Sequence, residues 1–114
     1  MPRRRSPAAA LTEAARVFAA LGEPTRLRLV ARLCDAGPLS IAELTAGTGV
    51  SRQAVTKHLV VLEKAGIVRS ERDGRARIWE LQPRRVAEAR RHLDRIATRW
   101  EAAPARSRGP VEAT

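Results

Sequence analysis

The chain has 114 residues, 44% hydrophobic and only 3% aromatic, so it is sized for one domain with a core of Leu, Val, Ile and Ala. A single cysteine, Cys34, excludes an internal disulfide and a multi-cysteine zinc site. No apolar run approaches the ~18 residues of a membrane span, and a cytoplasmic protein is expected.

The net charge of +10 and pI near 11.6 point to a polyanionic partner, nucleic acid before others. Arginine supplies 20 of the 22 basic residues, a choice over lysine that genomic base composition explains. It explains less well the excess of positive charge over 12 acidic residues.

Residues 1–8, rich in Pro and Arg, read as a disordered basic arm, and 104–114 as a disordered tail. The folded domain is expected over 9–103. Its first helix spans about 9–21, where Leu11, Ala14, Phe18 and Leu21 form a narrow apolar stripe. Gly22 is expected to end it with a left-handed residue. Pro24 suits the first turn of a second helix, which carries Leu27, Val30 and Leu33 to about Cys34 before Gly37-Pro38 breaks it.

Ser40-Ile41-Ala42-Glu43 is a capping box, flanked by Leu39 and Leu44 as a hydrophobic staple. It opens a short helix over about 41–46 that stops at Gly47-Thr48-Gly49. Val50-Ser51 repeats the device for a helix over 52–65, which turns Val55, Leu59 and Leu62 inward and ends at Gly66. Ile67 to Arg72 and Arg75 to Leu81 read as two strands joined by Asp73-Gly74, with positive φ expected at both turn residues. After Pro83 a last helix runs to about 103. Its apolar positions Val86, Ala89, Leu93, Ile96 and Trp100 have the spacing of a helix–helix seam.

Two short helices joined by a Gly-containing turn and followed by a hairpin form a winged helix-turn-helix: mainly α, five helices plus a two-stranded wing. The helix at 52–65 is then the one for the major groove. Arg52, Gln53 and Thr56 are the candidate base readers: Arg can pair with guanine, Gln with adenine, and Thr can bond a base or touch a thymine methyl. Ser51, Lys57 and His58 are candidate phosphate contacts, which position rather than specify. In the wing, Arg72, Arg75 and Arg77 are placed to reach a phosphate or an adjacent minor groove, with Arg69 at its base. The plainer alternatives are a solvated helix face and a hairpin edge protected by charge. The stripes Leu11, Ala14, Phe18, Leu21 and Val86, Ala89, Leu93, Ile96, Trp100 are expected to form a homodimer interface, since a monomer would expose them.

Residues 17–82 resemble the ArsR (arsenical-resistance repressor) family. The likeness rests on Phe18 to Leu27, on Ser51-Arg52-Gln53-Ala54-Val55-Thr56-Lys57-His58-Leu59, on Leu62 to Val68, and on Arg72-Asp73-Gly74-Arg75. The resemblance implies homodimers, joined through the first and last helices, that repress by binding imperfect palindromes in double-stranded DNA. Metal-sensing members carry Cys-x-Cys where this chain has Ser40 and Ala42. Their second type of site needs Asp and His on the last helix, with another His about eleven residues on. Here His92 has Ala103 at that distance, and Asp94 stands alone. The sequence is also similar to a metal-free branch, marked by the Ser51–Leu59 motif with Trp79 and Trp100. No metal or cofactor is expected. Cys34 reads as a small buried residue, with a redox role or a small-molecule effector left open.

No nucleophile with a partner base, no carboxylate pair and no phosphate-binding Gly loop is present, so an enzyme is not expected. The alternatives are a non-specific architectural DNA binder, which would share the charge but not the site preference, and a winged helix that binds protein.

Overall fold

A computed structural model describes residues 6–103. The elements are α1 (Pro7–Leu21), α2 (Pro24–Ala36), β1 (Leu39–Ser40), α3 (Ile41–Thr45), α4 (Arg52–Lys64), β2 (Val68–Asp73), β3 (Ala76–Leu81) and α5 (Pro83–Ala102). The expected arm and tail fall mostly outside the described residues, but Ser6 to Ala8 do not follow that expectation. Ser6 caps α1, its side chain accepting from the Ala9 N–H at 3.0 Å, and Pro7 takes the first helical position.

Most helix ends follow from local chemistry. The Ser40–Glu43 capping box is complete, with the Ser40 N–H donating to Glu43 Oε1 at 2.9 Å and the Glu43 N–H donating to Ser40 Oγ at 3.2 Å. At the far end of α4, the Ile67 N–H reaches the Leu62 carbonyl and the Gly66 N–H reaches that of Glu63, closing a Schellman motif around Gly66 at φ 78°. Gly22 is different. Its φ is −75°, not left-handed, and glycine suits it because a Cβ would lie 3.2 Å from the Phe18 carbonyl oxygen.

The sheet has three antiparallel strands in the order β1-β3-β2, one more than the expected wing. The added strand is the two-residue β1, whose Leu39 and Ser40 pair with Trp79 and Ile78. The wing's turn is shifted by one residue. Asp73 pairs with Ala76, so Gly74 and Arg75 are the central residues, and only Gly74 has positive φ, at 65°. That is the demand of a type II′ turn, not of the I′ turn that needs positive φ twice.

The core joins Val17 of α1, Leu29 of α2, Leu44 of α3, Val55, Leu59 and Leu62 of α4, Ile67, and Val68 of β2, all almost fully buried, with Trp79 closing one side. Burying each such side chain stabilises the fold by roughly 1.5–3 kcal/mol. On α2 the buried line is Thr25, Leu29 and Leu33, while Leu27 is turned outward. Residues four apart stack on one face, and Leu27 lies well round the helix from them.

The expected dimer stripes divide. Ala14 and Ala89 are buried inside the protomer, where α1 packs on α5, and so are not free for a second copy. Phe18, Leu21 and Val86 are half-buried against the same core. Leu11, Leu93, Ile96 and Trp100 remain more than half exposed. An ion pair between Arg85 of α5 and Glu13 of α1 fastens the buried part.

Candidate nucleic-acid interface

The two sides of α4 have different surroundings. Ser51 begins the helix, its side chain accepting from the Ala54 N–H at 3.1 Å and its carbonyl from Val55 at 3.0 Å. The N–H groups of Arg52 and Gln53 precede these and have no acceptor within the helix, leaving them for an anion. The side chains of Arg52, Gln53, Thr56 and Lys57 are all exposed. Thr56 donates its hydroxyl proton to the Arg52 carbonyl at 3.0 Å, so toward solvent it offers a methyl group and oxygen lone pairs. These four residues share one outward face, as their spacing predicts.

His58 does not join them. Its side chain is only 23% exposed and lies toward the start of α2, with Nδ1 3.4 Å from Arg26 Nη1 and 3.6 Å from Glu23 Oε2. Position 58 flanks the buried stripe of Val55, Leu59 and Leu62, which turns the ring inward. The expectation of a His58–phosphate contact is therefore replaced by a contact within the fold.

Two further arginines set the site. The Arg32 guanidinium donates to the carbonyls of Leu44 at 2.8 Å, Ala46 at 2.9 Å and Glu43 at 2.8 Å, satisfying the last carbonyls of α3 just before the turn into α4. Arg26 does the same for α1, donating to Ala20 at 2.7 Å and Ala19 at 3.4 Å. Neither was singled out in the sequence, because the carbonyls they reach are 6 to 14 residues away. A Glu-Pro-x-Arg run, with Glu23 capping α2, was the one local signal near Arg26.

Backbone hydrogen bonding holds the acidic caps ionised. The Glu23 carboxylate is lowered below its ordinary value chiefly by the Arg26 N–H, and that of Glu43 chiefly by the Ser40 N–H.

The wing is cationic at its end. Arg69 at its base is engaged with Glu80 at 2.5 Å and Glu71 at 3.9 Å. Arg72 and Arg77 stand directly opposite each other across the ladder, a like-charge pairing that by itself destabilises a hairpin. Arg77 donates to Ser70 Oγ at 2.8 Å, while Arg72 and the turn residue Arg75 are exposed. Among the described residues, no ion pair engages Arg52, Lys57, Arg72 or Arg75.

A helix-turn-helix domain model matches residues 21–71. The HTH-type transcriptional regulator Rv2034 of Mycobacterium tuberculosis is 42% identical over 84 residues, covering 74% of this chain and 78% of that protein. An ArsR-like transcriptional regulator from Rhodococcus sp. RHA1 superposes with a TM-score of 0.71 at 35% identity, over 81% of this chain and 86% of its own. The chain belongs to the ArsR family. It is a DNA-binding transcriptional regulator of the winged helix-turn-helix type. The homodimeric winged helix-turn-helix DNA-binding domain Mb0332 of Mycobacterium bovis, a possible ArsR-family regulator, shares the fold at 24% identity, with a TM-score of 0.66 over 86% of this chain and 91% of its own.

Against the expectation of a buried residue, Cys34 of this ArsR-family chain is exposed, at the edge of a groove of about 590 Å3 between α2 and α5. Among the described residues, no group of three or more His, Cys, Asp and Glu side chains is placed to hold a metal ion. No described helix is long and apolar enough to cross a membrane.

Proposed function

We propose that the protein is a sequence-specific homodimeric repressor of the metal-free ArsR branch, acting in the cytoplasm on an imperfect palindrome in double-stranded DNA. The observation that carries the reading is the outward face of α4, where Arg52, Gln53, Thr56 and Lys57 are exposed beside a wing ending in Arg72 and Arg75. In this reading Arg52, Gln53 and Thr56 read base edges. Ser51, Lys57 and the open N–H groups at the start of α4 hold phosphates, and Arg72, Arg75 and Arg77 follow the backbone into the next groove.

Dimerisation is supported by the exposed Leu11, Leu93, Ile96 and Trp100. The last three lie at one-turn and two-turn spacing on a single face of α5. Large apolar side chains gathered on one face of a small domain mark an association surface. A dimer reading a palindrome needs its two α4 helices presented to half-sites about 34–36 Å apart, one turn of DNA. Repression then follows if the dimer occupies DNA that polymerase needs, which is the family's mode implied by the resemblance.

The test is fluorescence anisotropy on the DNA upstream of the protein's own gene, with excess random DNA, at about physiological salt. Binding that survives competition, with a dimer in sedimentation at micromolar concentration, is the expected result. Binding lost equally to any DNA, both there and in a selection from random sequences, favours the architectural reading, in which the +10 charge alone provides affinity. A monomer in sedimentation would overturn the dimer.

A further inference from the structure

The apolar contacts of Val55, Leu59 and Leu62 choose which face of α4 is buried, and a directional contact can refine its roll about its own axis. Roll matters to a reading helix. A turn of about 10° carries an atom about 6 Å from the axis by about 1 Å, enough to spoil a hydrogen bond to a base. On the inner side of α4 a directional contact is made by His58, which approaches Arg26 of α2 and Glu23, the residue that caps α2. Arg26 holds the α1 carbonyls of Ala20 at 2.7 Å and Ala19 at 3.4 Å, and its remaining guanidinium nitrogen lies 3.4 Å from His58 Nδ1. Glu23 accepts from the Arg26 N–H at 2.9 Å with the same Oε2 that lies 3.6 Å from His58 Nδ1.

We propose that Glu23, Arg26 and His58 form a clasp in which Glu23 and Arg26 act through His58 as positioning residues. The clasp sets the roll of α4 relative to α1 and thereby aims Arg52, Gln53 and Thr56. The chemistry of the three groups fits this. A guanidinium only donates, so in this contact Nδ1 of the neutral ring accepts the hydrogen bond from Arg26 and the ring's own proton sits on Nε2. A carboxylate only accepts, and Glu23 Oε2 is a second polar neighbour of the ring, 3.6 Å from the same Nδ1. Arg26 is tied at its other edge to the end of α1, and the chain of contacts runs from the helix packed on α5 to the helix that faces DNA. The proposal rests on α4 being the reading helix.

The experiment compares His58→Ala, His58→Asn, Arg26→Ala and the His58→Ala/Arg26→Ala double variant in the full-length protein. Three quantities are read: the affinity ratio of selected to random DNA, the slope of log affinity against log salt, and thermal unfolding without DNA. His58→Ala is expected to lower the ratio about tenfold with an unchanged salt slope. His58→Asn, whose amide places a polar atom near the position of Nδ1, is expected to recover most of the ratio. Arg26→Ala should match His58→Ala, and the double variant should be little worse than either single one.

A salt slope shallower by about 0.9 in His58→Ala would make His58 a phosphate contact and overturn the clasp. Additive losses, or lower thermal stability with an unchanged ratio, would overturn it equally. Should the wild-type protein prefer no sequence, the reading of α4 itself fails. The clasp is then judged by the double-variant cycle in thermal unfolding, where a strictly additive result refutes it.

Discussion

The inner and outer faces of α4 have different surroundings within 13 residues. Val55, Leu59 and Leu62 on the inner face are fully buried, and Arg26 and Glu23 approach His58 beside them. Arg52, Gln53, Thr56 and Lys57 on the outer face are exposed, and none of their side chains meets another side chain in a hydrogen bond or ion pair among the described residues. On the proposed reading one short helix serves both stability and recognition: truncating its buried apolar stripe should register in unfolding and truncating its outer face in binding, while His58 beside the stripe should register in selectivity.

The largest separation is expected from Leu59→Ala. It removes a fully buried side chain between helices and should cost about 2–5 kcal/mol in chemical denaturation. DNA affinity of the protein that remains folded should change little by comparison. A smaller structural effect belongs to Arg32→Ala, which strips donors from the carbonyls of Glu43, Leu44 and Ala46. About 1–3 kcal/mol of stability should go, and an unchanged denaturation midpoint would show the turn before α4 to be held by other means.

On the outer face the pattern reverses. Gln53→Ala should leave stability within about 0.5 kcal/mol of the parent and lose about 1–3 kcal/mol of discrimination at one base pair in a binding-site selection. Arg75→Ala on the wing should weaken binding alike for all sequences and make the salt slope shallower by about 0.9. A sequence-dependent loss would instead assign Arg75 a reading role.

The smallest effect concerns acid. Glu43 ionises below the ordinary glutamate value when folded, because its carboxylate accepts from the Ser40 N–H. The unfolded chain therefore takes the proton first as pH falls. The stabilisation is complete above the ordinary glutamate range and is lost as pH falls through the lower folded value. Thermal unfolding compared at neutral pH and in acid should show a smaller difference for Glu43→Gln than for the parent.

What the sequence made legible was local. The capping box at Ser40, the cap at Ser51, the Schellman closure at Gly66 and the buried line of α4 each rest on residues within a few positions of one another. Elements that depend on distant partners were not readable in the same way. Strand β1 is two residues long and exists through Trp79 and Ile78, some forty positions on. Arg26, Arg32 and His58 gain their roles from carbonyls and side chains on other helices.

Periodicity also has a limit. It marked the stripes on α1 and α5 as seams without saying what would fill them. Ala14 and Ala89 face each other's helices inside the protomer, whereas Leu93, Ile96 and Trp100 continue the same spacing into solvent. The wing's turn shows the limit at its narrowest. Asp73-Gly74 marked the hairpin, yet strand register placed Gly74 and Arg75 at its centre.

The central claim is that the outer face of α4 supplies sequence preference while other groups supply general affinity. Selection from a random DNA library by the parent protein and by an Arg52→Ala/Gln53→Ala/Thr56→Ala variant tests it most directly. The parent should enrich an imperfect palindrome with half-sites one helical turn apart, and the variant, still folded and still binding DNA, should enrich none. Recovery of the same consensus by the variant would contradict the account and move base reading elsewhere on the protein.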